Sequence, residues 1–116
     1  MTNYYNYLGR YGKTQLWKFG ETTNTNRRAN DIKKEAMKKN IRSAENFHLV
    51  EVSNVAHSKA QSLLIEGVVR AEMESRGYTL EGNDHFRTNK KANDVYKDYY
   101  EVLSKAVQIV TMVYGK

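Results

Sequence analysis

Residues 5–28 constrain the fold of this chain more than any other stretch. Aromatic and other β-favouring residues stand on both sides of a turn, in which Gly9 and Gly12 enclose two residues. The pattern predicts a β-hairpin, because aromatic side chains fit a half-buried pleated surface and glycine accommodates tight turns. We expect its strands over residues 4–8 and 15–20.

The second predicted strand has two large aromatic side chains on one face. Successive side chains of a strand point to opposite faces, so Trp17 and Phe19 share one face while Leu16 and Lys18 share the other. The sequence does not determine the pairing register of the hairpin. Whether Tyr7 and Lys18 lie on the same face therefore stays open.

A helix is predicted directly after the hairpin. An asparagine or threonine among residues 24–26 can accept a hydrogen bond from a free N–H of the first turn, and a helix over residues 27–39 follows. Its few apolar positions form a narrow stripe, which places it on the outside of the sheet.

The run at residues 47–52 predicts a third, buried strand. Asn54 can then cap a second helix over residues 55–76.

The second half of the chain is predicted to be mostly helical. The second helix should pack by an apolar face, with Glu66 on the border of that face. The face consists of Ala60, Leu63, Leu64, Gly67, Val68 and Ala71. A loop follows, with short extended structure at residues 78–80. A last helix over about residues 90–113 has an apolar stripe of helical period that packs it on the sheet.

The predicted order of elements is β-β-α-β-α-α, an α+β fold with a small three-stranded antiparallel sheet flanked by helices. Residues 1–116 should form one domain with its core over about residues 4–86 and the last helix added to it. The chain has no cysteine, which excludes disulfides, thiolate metal sites and cysteine nucleophiles. Neither a signal peptide nor a run of about 18 apolar residues is recognisable, so we expect a cytoplasmic protein without a membrane partner.

The positive charge is concentrated near the amino terminus. Residues 1–42 hold ten basic and three acidic side chains (+7), whereas residues 43–116 hold nine basic and ten acidic ones (−1). Such a surface suits the phosphates of a nucleic acid, although a basic face that only keeps the chain soluble gives the same pattern. The side chains expected to contact nucleic acid are Arg10, Lys13, Arg27, Lys33, Lys34 and Lys38.

The hairpin and helix start resemble the amino-terminal half of the GIY-YIG endonuclease superfamily. The two triplets that name this family correspond to Tyr5-Asn6-Tyr7 and Lys18-Phe19-Gly20. Tyr7 lies eleven positions before Lys18, and Arg28 lies eight after Gly20; both separations are usual in the family. Lysine replaces the second tyrosine, as it does in a branch common in phages and mobile elements. The resemblance covers about residues 4–86 and implies a GIY-YIG-like fold.

The resemblance also implies an enzyme that hydrolyses phosphodiester bonds with a divalent metal, Mg2+ or Mn2+. In the family, the first-triplet tyrosine activates water, the helix arginine binds the phosphate, and a glutamate on a later helix binds the metal. Tyr7, Arg28 and Glu66 match these positions. Lys18 would either lower the pKa of the Tyr7 phenol or contact the phosphate.

Each of these residues also has an ordinary structural explanation. Tyr7 is one of nine tyrosines and fits a sheet surface, and Lys18 fits an exposed strand position. Arg28 fits a solvated first turn. Glu66 precedes Arg70 by four residues, the spacing of a common helix ion pair. The combined separations favour the functional interpretation.

Two further residues are assigned from the loop after the second helix. Asn83 aligns with an asparagine that braces the site in the family, and His85 stands where the phage-type branch has tryptophan. The sequence thus predicts a small, metal-dependent DNA endonuclease domain of phage or mobile-element type, with RNA left open as a substrate. A partner module or a second copy would supply specificity. The alternative is a catalytically silent module of the same fold that only binds nucleic acid.

Overall fold

The computed structural model describes residues 2–115, so residues 1 and 116 of the predicted domain lie outside the described range. The helices and strands are β1 (Tyr4–Tyr11), β2 (Leu16–Thr22), α1 (Thr25–Lys38), a 3₁₀ helix (Ala44–Asn46), β3 (Phe47–Ala56), α2 (Lys59–Ser75), β4 (Thr79–Glu81), β5 (His85–Arg87) and α3 (Ala92–Tyr114). The fold is α+β, as predicted. All strand pairs are antiparallel, in the order β3-β1-β2-β5-β4.

The predicted three-stranded sheet is wrong, because the described residues form a five-stranded sheet. The two added strands have three residues each. β4 overlaps the short extended structure predicted at residues 78–80, whereas β5 lies in a part predicted as loop. β5 pairs with the first three residues of β2, and β4 pairs with β5. Strands this short have no sequence period of their own. β5 takes its backbone hydrogen bonds from β2, a partner far away in the chain, and β4 forms a hairpin with β5.

The register of the hairpin settles which side chains share a face. Tyr7 lies opposite Gly20, and Gly9 lies opposite Lys18. Directly paired residues point to the same side of a sheet, so Tyr7 and Lys18 share one face. Trp17 belongs to the core on the opposite face, as predicted from the alternation along the strand.

Hydrophobic side chains form a core on each face of the sheet. One core joins Leu8, Trp17 and Phe19 to the buried sides of α2 and α3. The other core joins Tyr7, Tyr11 and Phe47 of the sheet to the inner side of α1. The helices therefore form layers on both sides of the sheet. None of the helices within residues 2–115 is long and apolar enough to cross a membrane.

The start of α1 follows the prediction, whereas the start of α2 does not. The Asn24 side chain accepts a hydrogen bond from the Arg27 N–H at 3.0 Å and caps α1. β3 continues to Ala56, so Asn54 caps nothing, and the Ser58 side chain caps α2 instead.

The buried side of α2 also differs from the predicted apolar face. The buried residues are Gln61, Ser62, Ile65, Val69 and Met73. Leu63, which was expected to be buried, is 48% exposed. The helix is thus turned relative to the prediction. Two polar residues take positions that an apolar pattern would not assign to the interior.

Candidate functional site

A cleft of about 390 Å³ lies beside the carboxyl-terminal end of β2. β5 pairs with β2 only over residues 16–18, so beyond this point no strand covers the outer edge of β2 among the described residues. The cleft opens at this edge and is lined by Gly20 and by the strand-to-helix turn that follows. Because β5 begins only at His85, opposite Lys18, the end of β2 beyond Lys18 has no neighbouring strand on this side within residues 2–115.

Three predicted site residues line this cleft together. Tyr7 comes from β1, Arg28 from the first turn of α1, and Glu66 from α2. Lys59, Leu63 and Glu66 are spaced i, i+4 and i+7, so one side of α2 faces the cleft with all three. Lys59 was not predicted as a site residue, although this helical spacing from Glu66 could have indicated it.

Gly20 and Tyr7 are in close contact where β1 and β2 pair. A Cβ atom at position 20 would lie 2.6 Å from the Tyr7 hydroxyl oxygen and 2.8 Å from Cζ. Only a residue without a side chain leaves the space that this phenol occupies. The position of Tyr7 therefore excludes a side chain at position 20, which explains sterically why the second triplet ends in glycine.

The Tyr7 phenol is neutral at neutral pH. Tyr7 is 1% exposed, and burial raises the pKa of Tyr7 to about 12, with the Arg28 guanidinium opposing part of the rise. The phenol is then a hydrogen-bonding group rather than a resident phenolate. The sequence-based suggestion that Lys18 lowers this pKa is wrong.

Lys18 has a different partner. It is 4% exposed, and its ammonium forms a salt bridge with Asp84. Burial lowers the pKa of Lys18, and Asp84 opposes this shift. An ammonium removed from water needs such a compensating carboxylate. The ordinary alternative of an exposed strand lysine is therefore excluded, and a direct contact with phosphate stays a prediction.

Asp84 and His85 extend the Lys18 salt bridge into a hydrogen-bonded chain. Asp84 Oδ1 and His85 Nδ1 are 2.8 Å apart, and His85 Nε2 lies 2.9 Å from the Tyr11 hydroxyl. Hydrogen bonding to His85 and to Lys18 holds the pKa of Asp84 well below its usual range. His85 is thus held at both ring nitrogens. Tyr11 and Asp84 were not among the predicted site residues, because nothing in the sequence places them together.

Glu66 is half-buried and lacks the helix ion pair that its spacing indicated. Arg70 donates to the Asn83 carbonyl instead, and within residues 2–115 the Glu66 carboxylate has no hydrogen-bond or salt-bridge partner. Burial and the neighbouring carboxylate of Glu21 raise the pKa of Glu66. An ionised carboxylate in such surroundings is stabilised by any cation that binds to it.

The donor set of the cleft fits a hard divalent cation only in part. Mg2+ is commonly held by one or two carboxylates and completes its coordination with substrate phosphates and water. Glu66 can supply one carboxylate, whereas Glu21 forms a salt bridge with Lys59. No cluster of three or more metal-ligating side chains occurs in the described part of the chain. A cation here would depend on the substrate for most of its ligands.

The residues predicted to contact nucleic acid do not form one surface with the cleft. Arg10 lies on the opposite face from Tyr7, with its guanidinium 4.6 Å from the Trp17 ring centroid, and it donates to the carbonyls of the hairpin turn. Arg27 is 81% exposed and lies 4.0 Å from Asp31. The cations Lys33, Lys34 and Lys38 lie on α1, and none of them lines the cleft.

Two of the remaining predicted residues border a second, larger cleft of about 910 Å³. Lys13 and His85 line it, and Asp84 lines both clefts. Asn83 is exposed and lines neither cleft, so its predicted bracing role has no contact that would support it. Comparison of the chain with protein-family models, curated proteins and solved structures found no match.

Proposed function

We propose that this protein is a small, divalent-metal-dependent endonuclease with a GIY-YIG-like fold that hydrolyses phosphodiester bonds in DNA. One observation supports it above the others. Tyr7, Arg28 and Glu66 lie far apart in the chain, come from three different elements, and line one cleft. The triplet spacing in the sequence supports the same proposal independently.

Each side chain has a role in the proposed reaction that follows from its surroundings. Arg28 binds two non-bridging oxygens of the phosphate, since a guanidinium presents parallel donors in a fixed plane. The neutral Tyr7 phenol orients the attacking water by hydrogen bonding. Glu66 binds the divalent cation, which when bound stabilises the charge that develops on the phosphate.

Supercoiled plasmid tests this proposal, since one cut converts it to the relaxed form. We expect the wild-type protein to relax plasmid with Mg2+ or Mn2+, and Glu66→Gln to lower the rate by about 100-fold or more, in the range seen when a group acting in the transition state is lost. Arg28→Lys and Tyr7→Phe should also lower the rate of plasmid relaxation. Three matched controls should retain the wild-type rate: Glu74→Gln, Arg27→Lys and Tyr100→Phe. All three positions are exposed and line neither cleft.

A catalytically silent nucleic-acid-binding module is the second candidate. The pairing of Lys18 with Asp84 favours it, because that cation is already neutralised. In this case plasmid stays intact in every metal while salt-sensitive binding is measured. If relaxation occurs and Glu66→Gln retains the full rate, the assignment of the cleft as the active site is wrong.

A further inference from the structure

The larger cleft is a concave site at one end of the sheet. Its walls are the β1–β2 turn, the segment after α1 and the β4–β5 turn. It adjoins the smaller cleft, because Asp84 lines both. A strand bound with one phosphate at Arg28 would therefore reach the larger cleft with the nucleotides next to it.

The larger cleft has an excess of uncompensated positive charge. Its acidic side chains are already engaged: Glu81 pairs with Arg87, and Asp84 pairs with Lys18. Lys13, Lys39 and Arg42 also line the cleft, and none of the three has a salt-bridge partner between residues 2 and 115. Three free cations around a concave surface suit a polyanion.

The shape of the larger cleft decides which form of nucleic acid fits. A volume of about 910 Å³ is in the range of pockets that enclose a small organic ligand, about 300–1,000 Å³. A double helix presents its phosphates on a convex surface and keeps its bases stacked inside, so it can only lie across the opening. An unpaired nucleotide can enter. Ile41 and the partly exposed His85 ring offer apolar surface for its base.

We propose that the larger cleft binds unpaired nucleotides of the strand that is cut, adjacent to the phosphate held at Arg28. The proposal rests on the proposed function and deepens it. The preferred substrate is then a duplex with a single-stranded extension rather than a continuous duplex. Lys39 and Arg42 contact the phosphates of the extension.

Fluorescence anisotropy without divalent metal tests this proposal, because it measures binding without cleavage. The probes are a labelled duplex and the same duplex with a thymidine tail on one strand. The double variant Lys39→Gln/Arg42→Gln is compared with Lys91→Gln/Lys97→Gln, which removes the same charge at the amino-terminal end of α3, where both side chains are exposed and line neither cleft. Lys39 and Arg42 are exposed and make no side-chain hydrogen bond within residues 2–115, so the variant should fold normally.

We expect the cleft variant to weaken binding of the tailed duplex by about tenfold and to lower its salt slope by about 1.4, since a cation–phosphate contact on a single strand contributes about 0.7. Binding of the continuous duplex by the cleft variant should change little, and so should binding of both probes by the control variant. Equal losses on both probes, or an equal loss in the control, would overturn the proposal.

Failure of this proposal can be distinguished from failure of the proposed function. Metal-dependent plasmid relaxation that needs Glu66, with tail binding unaffected, would reject only the larger cleft. Selective loss of tail binding in a protein that never relaxes plasmid would reject only the hydrolysis.

Discussion

The contact between Gly20 and Tyr7 leads to a prediction that can be worked out from the structure. In Gly20→Ala, the new Cβ would approach Tyr7 to 2.6 Å at the hydroxyl oxygen and 2.8 Å at Cζ. Gly20 is not among the glycines with positive φ, so alanine adds no backbone strain and the effect is purely steric. Tyr7 is packed in the core between the sheet and α1, which limits how far its ring can move.

The expected cost is about 1–3 kcal/mol, the usual penalty for overpacking a dense interior. Unfolding a chain of 116 residues has an entropy of about 0.24 kcal/mol/K, from roughly 2.1 cal/mol/K per residue, so each kcal/mol corresponds to about 4 °C. We therefore expect calorimetry to find Tm lowered by about 4–12 °C.

Gly67→Ala is the matched control. Gly67 lies within α2, and a Cβ there would meet no atom within 4 Å. Alanine should stabilise this position by about 0.5–1 kcal/mol through helix propensity. The double variant Tyr7→Phe/Gly20→Ala removes the closest contact and should recover part of the lost stability. If the Gly20→Ala protein has the same Tm as the wild type, the stated packing of Tyr7 against β2 is wrong.

Three other predictions concern buried polar groups. Asp84→Asn leaves the Lys18 ammonium without its counter-charge and should cost about 2 kcal/mol in urea unfolding, less than for a fully buried pair because Asp84 is partly exposed. The pKa of Asp84 is lower in the folded than in the unfolded protein. Its contribution to the free energy of unfolding is therefore complete above the unfolded-state pKa of about 3.9 and is lost as the pH falls below that value. The stabilities of the wild type and Asp84→Asn should thus converge in acid. Tyr7 should show a ring-carbon NMR titration near pH 12, and a midpoint near pH 10 would contradict its burial. Tyr78→Phe loses a 2.6 Å hydrogen bond to Asp98, and a decrease of about 1–2 kcal/mol is expected in the same urea assay.

Local sequence patterns were sufficient for the parts of the fold made by neighbouring residues. The hairpin, the helix after it and the side of β2 that bears Trp17 follow from alternation and a capping asparagine. The predicted turn was placed wrongly, because β1 continues through Gly9 to Tyr11 and the turn spans residues 12–15. The extended structure at β4 was predicted, but β5 and the addition of both strands to the sheet were not. β5 becomes a strand because β2 supplies a partner edge, and β4 in turn pairs with β5; no local pattern encodes the pairing with β2.

The orientation of α2 was mispredicted for a different reason. Its interior side includes Ser62, whose carbonyl accepts a hydrogen bond from the buried Asn6 side chain at 3.1 Å. Gln61 is also buried, and its side chain accepts from the His57 N–H at 2.8 Å. Hydrogen-bonded polar groups can replace apolar ones in an interior. A count of apolar residues cannot identify them.

The proximity of the candidate site residues was predictable to different degrees. Tyr7 and Arg28 belong to one hairpin and the helix that follows it, so their separation in the sequence already limits their distance in space. Glu66 reaches them only through the packing of α2 against the sheet. The salt bridge between Lys18 and Asp84 joins residues 66 positions apart, and no periodicity could reveal it.

Lysine at the second triplet changes which cations are available to a phosphate. The Lys18 ammonium is held by Asp84, and Lys59, at the smaller cleft, is held by Glu21. Arg28 is then the one basic side chain lining this cleft that has no salt-bridge partner among residues 2–115. The proposed phosphate binding in the smaller cleft would therefore depend on Arg28, whereas the Lys18 ammonium pairs with Asp84, which also contacts the His85 ring. Lys18 thus brings a buried charge, and its compensation by Asp84 fixes a residue that lines both clefts.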